Sequence, residues 1–66
     1  MKIFINGEIK EIQAETNLGE LLEQLSLSSR RIAVELNKQV VRCKDWQSIQ
    51  IKEADKIEIV HFVGGG

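Results

Sequence analysis

Few groups in this sequence carry chemistry beyond packing and solvation. There is one thiol, Cys43, one imidazole, His61, and ten carboxylate side chains, and the sequence closes on Gly64-Gly65-Gly66 with its main-chain carboxylate. A nucleophilic cysteine needs a base or a basic environment that holds it as thiolate. Cys43 has no CxxC companion and no histidine near it in sequence, so it reads as a small buried hydrophobe. His61 stands between Val60 and Phe62 with no second ligand and no triad pattern, which suits a packed or surface residue. The carboxylates are scattered from Glu8 to Glu58 and form no motif; they read as solvated faces and caps. No glycine-rich loop joins a strand to a helix, so no phosphate cradle is expected.

The glycine run remains. Its ordinary reading is a frayed end. Consecutive glycines lose the most entropy on ordering, so they add nothing to stability. They do provide reach and slimness: a chain without Cβ atoms can enter a narrow channel. A carboxylate is a poor electrophile. Once another enzyme adenylates it, it can accept sulfur to give a thiocarboxylate, or an amine to give a conjugate. Composition and periodicity allow this reading and the frayed end alike.

The elements that would position such a tail follow from periodicity. Residues 2–5 alternate around Ile3 and Ile5 and run into Asn6-Gly7, a strong hairpin signal because both turn positions need positive φ. A two-residue turn pairs Ile5 with Glu8, Phe4 with Ile9 and Met1 with Ile12. That register puts Met1, Ile3, Ile5 and Ile12 on the core side and leaves Phe4 and Ile9 together outside. Leu18, Leu21, Leu22 and Leu25 then mark one helix face. Thr16 or Asn17 can cap that helix, with Glu20 completing a capping box if Asn17 is the cap. Its end at Ser26–Ser29 has no glycine.

In residues 31–36, Ile32, Val34 and Leu36 alternate against Ala33 and Glu35. Asn37-Lys38 is a turn and 39–41 a return strand. Residues 42–55 read as an irregular, partly buried loop around Trp46 with a short strand, closing at an Ala54-Asp55 turn. Residues 56–63 form the last strand, with Ile57 and Ile59 toward the core and Glu58, Val60 and Phe62 on the other face. Hairpin, helix, hairpin and final strand make an α+β two-layer domain. The β-grasp arrangement fits this order: a mixed sheet with one main helix on one face and the first and last strands side by side in the middle. The expected boundaries are a domain over 1–63 and a flexible glycine tail over 64–66.

Size and charge narrow the functions. A chain of 66 residues has a thin core and no bulk for a deep substrate cleft, which disfavours a free-standing enzyme. Nine basic against ten acidic residues give a net charge of −1, with no basic stripe for nucleic acid. No apolar run is long enough to span a bilayer. No signal peptide is expected at the start, and a lone cysteine suits a reducing compartment such as the cytoplasm.

The whole sequence resembles the thiamine-pathway sulfur carrier family (ThiS), β-grasp relatives of the molybdopterin-synthase small subunit and of ubiquitin. The resemblance is carried by the first strand running into Asn6-Gly7, by the Leu21-Leu22 helix, and by Arg31-Ile32-Ala33-Val34-Glu35-Leu36-Asn37. Its specific part is the ending, from Asp55-Lys56-Ile57 through Glu58-Ile59-Val60-His61-Phe62-Val63-Gly64-Gly65-Gly66. The sequence departs from the family at Ala54, where Gly is usual, and at Lys38, where an Asn-Gly turn is usual.

The resemblance implies a mechanism. The carboxylate of Gly66 is adenylated with ATP by an E1-like partner of the ThiF class and converted to a thiocarboxylate with sulfur drawn through a cysteine desulfurase. Thiazole synthase (ThiG-like) then takes the sulfur for the thiazole of thiamine. No cofactor is bound by the chain itself; ATP belongs to the activating partner. Gly64 and Gly65 would thread the partner's channel. Val60, Phe62 and Glu58 would form the docking patch, an exposed apolar pair beside a functional group, unless the segment near Trp46 covers them. The competing functions are a molybdopterin-type sulfur carrier and a ubiquitin-like binding or conjugating module.

Overall fold

The computed structural model describes residues 1–27 and 31–62. Val63, the tail Gly64–Gly66, and Ser28 and Ser29 of the expected helix end lie outside the described residues.

The first hairpin is strand β1 (Lys2–Ile5) and strand β2 (Glu8–Glu11). Asn6 and Gly7 both take positive φ, 50° and 84°, as the two-residue hairpin turn demands. Ile5 faces Glu8 and Phe4 faces Ile9, as the turn length requires. Met1 extends the pairing, its amino group donating to the Ile12 carbonyl at 2.7 Å while the Ile12 N–H donates back at 2.9 Å. Ile3 and Ile12 are buried, Phe4 is half-buried and Ile9 is exposed.

Helix α1 (Leu18–Gln24) starts from a reciprocal capping box. The Asn17 side chain accepts from the Glu20 N–H at 2.7 Å, and the Glu20 carboxylate accepts from the Asn17 N–H at 2.9 Å. Leu18, Leu21 and Leu22 are fully buried, each contributing about 1.5–3 kcal/mol. The helix ends at Leu25, and Ser26 takes positive φ, 61°, in place of the usual glycine.

Strand β3 (Ile32–Leu36) turns through Asn37 and Lys38, both at positive φ, into strand β4 (Gln39–Val41). Strand β5 (Lys56–His61) lies between β1, to which it is parallel, and β3, to which it is antiparallel. The sheet order is β2-β1-β5-β3-β4, with α1 across one face: a β-grasp. Ile57 and Ile59 join Ile3, Ile12, Val34 and the helix leucines in one core.

The segment 42–55 departs from expectation. It holds a 3-10 helix, Cys43–Ser48, and the expected short strand is reduced to a single bridge between Asn17 and Gln50. Trp46 organises it: the buried indole donates to the Val41 carbonyl at 3.2 Å and packs among the core residues. Cys43 is exposed rather than buried, because Trp46 is the residue this helix turns inward. The turn before β5 closes by an Asp55 N–H to Lys52 carbonyl bond of 3.1 Å. Ala54, its third residue, takes φ 69°, a position that favours glycine.

Candidate functional site

Two turn asparagines fix β5 in place. At its start, the Asn37 carboxamide accepts from the Lys56 N–H at 3.0 Å and donates to Asp55 at 3.0 Å, while the Asn37 N–H donates to the Lys56 carbonyl at 2.7 Å. Further along, the Asn6 carboxamide accepts from the Ile59 N–H at 2.8 Å and donates to the Ile59 carbonyl at 3.2 Å. The strand that leads toward the glycine run is therefore central and tightly registered.

Its alternation places Ile57 and Ile59 inward and Glu58, Val60 and Phe62 outward, as the sequence indicates. Val60 is 60% and Phe62 61% exposed. Trp46 is only 6% exposed and belongs to the core cluster on the helix side of the sheet. The segment around it therefore does not cover Val60 and Phe62.

Pairing widens this patch beyond the residues the sequence singles out. Val60 lies opposite Ala33, Glu58 opposite Glu35, and Glu35 opposite Val40. Val40 is 71% exposed. Two carboxylates thus sit directly across from each other beside Val60, Ala33 and Val40, an arrangement that works against the sheet. Beside them a shallow cavity of about 240 Å³ is lined by Phe4, Gly7, Lys38, Lys56, Ile57 and Glu58. Ala33 and Glu35 were visible in the sequence as the outer face of their strand. What the sequence did not disclose was that β3 pairs with β5, which brings them to Val60 and Glu58.

His61 and Cys43 are both exposed, one at the end of β5 and the other at the start of the 3-10 helix. Among the described residues, no group of three or more His, Cys, Asp and Glu side chains converges as metal ligands. No described helix is long and apolar enough to cross a membrane. Gly64, Gly65 and Gly66 lie outside the described residues; in sequence Phe62 and Val63 separate them from His61, the end of β5.

Known proteins resemble this chain over its full length. Residues 3–66 match the model of the ThiS family. The sulfur carrier protein ThiS of Bacillus subtilis is 33% identical over 63 residues, which is 94% of this chain and 96% of that protein. Proteins named thiazole synthase from Magnetococcus marinus and Paramagnetospirillum magneticum are 44% and 39% identical over 66 residues, and the chain spans 20% of the length of each. The crystal structure of the thiamine biosynthesis protein ThiS from Geobacter metallireducens superposes with a TM-score of 0.86 over the whole of both chains, at 29% identity.

Proposed function

The chain belongs to the ThiS family, and from that membership we propose that it is a sulfur carrier of thiamine biosynthesis whose cargo rides on the C-terminal carboxylate of Gly66. The carboxylate oxygen attacks the α-phosphate of ATP in an adenylating partner, releasing pyrophosphate. The terminal sulfur of a persulfide, drawn from cysteine by a desulfurase system, then displaces AMP to give an acyl persulfide, and a thiol cleaves its S–S bond, forming a disulfide and leaving the thiocarboxylate. Transfer of that sulfur to the thiazole precursor, in exchange for an oxygen from the precursor or from water, regenerates the carboxylate. The chain acts as co-substrate in each step and provides no catalytic group.

One observation carries this reading: β5, the strand that leads toward Gly64-Gly65-Gly66, is held by Asn6 and Asn37 along its backbone, buries Ile57 and Ile59, and leaves Val60, with Phe62 just beyond it, exposed on the other side. A carrier has to be held firmly while its tail reaches into another protein's site. Val60, Phe62 and Ala33 offer the apolar grip. The facing pair Glu58 and Glu35 fits a partner's arginine or lysine, which would relieve their mutual repulsion. Thiazole synthase is favoured as recipient because a segment like this one occurs inside longer proteins of that name.

The test is the intact mass of the chain after incubation with ATP, adenylating enzyme and a sulfur donor. The expected product has one oxygen replaced by sulfur, located on the C-terminal peptide, and deletion of Gly66 abolishes it. Isopeptide conjugates alone, or no modification, would overturn the sulfur-carrier reading.

A further inference from the structure

We propose that Asn6 is a positioning residue for the tail-bearing end of β5, a role that rests on the reading of that tail as the working group. Asn6 ends β1. Its own N–H still pairs with the Ile57 carbonyl at 2.9 Å, but at φ 50° the main chain then turns away into Gly7. Its carboxamide takes the place of the next β1 residue, giving Ile59 both an acceptor and a donor. Only a primary amide presents the two together in the manner of a peptide group.

The turn alone does not explain the residue. Glycine suits the same φ at no steric cost, and Asp-Gly serves this turn as well as Asn-Gly. What glycine lacks, and aspartate only half supplies, is the bridge to Ile59. Among the described residues, this bridge is the last hold on the β1 side of β5. Beyond it the strand is held from β3, by the pairing of Val60 with Ala33 and by the Phe62 N–H on the Arg31 carbonyl at 3.0 Å. Ile59 is flanked by Glu58 and Val60. Asn6 therefore sets the pitch of β5 where the docking side chains stand and where the strand sets out toward Gly64.

The test compares the full chain with Asn6→Gly and Asn6→Asp, by amide hydrogen exchange and by adenylation kinetics. In Asn6→Gly the Ile59 amide exchanges on the order of tenfold faster, while the Leu25 amide, bonded within α1 to the Leu21 carbonyl, keeps its rate. The KM for the carrier rises several-fold with kcat little changed, because a misaligned strand weakens docking and leaves the chemistry of the bound tail intact. In Asn6→Asp the ionised carboxylate faces the Ile59 carbonyl, and acidification that protonates it restores a donor and with it the protection of Ile59. This variant also serves if Asn6→Gly fails to fold. Unchanged Ile59 exchange overturns the proposal, as does faster exchange with wild-type KM. A wild-type chain that is never adenylated speaks against the proposed function instead, and Ile59 exchange then still decides the bridge.

Discussion

Replacing Val60 and Phe62 together with glutamate separates docking from folding. Each side chain is about three-fifths exposed, so a partner that covers them gains roughly three-fifths of a full burial. At about 1.5–3 kcal/mol per fully buried apolar side chain, that is roughly 1–2 kcal/mol each and 2–4 kcal/mol for the pair. With a tenfold change for every 1.4 kcal/mol or so, kcat/KM for adenylation should fall about 30- to 1000-fold. Two new carboxylates beside Glu58 and Glu35 push toward the upper end. The fold should lose little, because substitutions at exposed positions usually stay within about 0.5 kcal/mol, and the lower strand preference of glutamate adds less than about 1 kcal/mol. Pyrophosphate release by the adenylating enzyme, measured against carrier concentration, reads the effect, with thermal unfolding as the control. A folded variant whose kcat/KM stays within about threefold of wild type would refute the placement of the docking face.

Ala54→Gly removes a Cβ from the left-handed region at φ 69° and should stabilise the chain by about 1 kcal/mol, seen as a rise in Tm of roughly 4–8 °C. Asn17→Ala breaks both halves of the capping box and should cost about 1 kcal/mol in chemical denaturation, with no change in the denaturant slope. Gly19→Ala would place a methyl against the far end of the Gln47 side chain. Gln47 is exposed and free to swing aside, so the gain in helix preference should dominate and unfolding free energy should rise by up to about 1 kcal/mol. A loss there would show that Gln47 is pinned against α1.

Legibility followed the range of each interaction. The Asn6-Gly7 hairpin register, the Asn17–Glu20 capping box and the inward leucines rest on residues at most a few positions apart, where turn geometry and helix period decide the outcome. The outward set of Glu58, Val60 and Phe62 was legible for the same reason, since strand alternation is local. The segment 42–55 was not. Trp46 is held by a carbonyl five residues back and by the core, and that anchor gives the expected irregular loop a 3-10 helix and leaves Cys43 in solvent. Asn6 was read as a turn residue only, because its second role depends on Ile59, 53 positions away. The juxtaposition of Glu35 and Glu58 likewise needs the β3–β5 pairing, which no local pattern encodes. At Ala54 the expected turn forms with an alanine at positive φ.

The most direct test of the central claim follows the sulfur atom itself. The chain is first loaded with isotopically labelled sulfur by the adenylating enzyme, purified, and then mixed with thiazole synthase and its other substrates, with masses of chain and product read together. Sulfur carried on Gly66 predicts that the label appears in the thiazole product while the chain returns to its carboxylate mass. Label that stays on the chain, or thiazole formed without label, would contradict it.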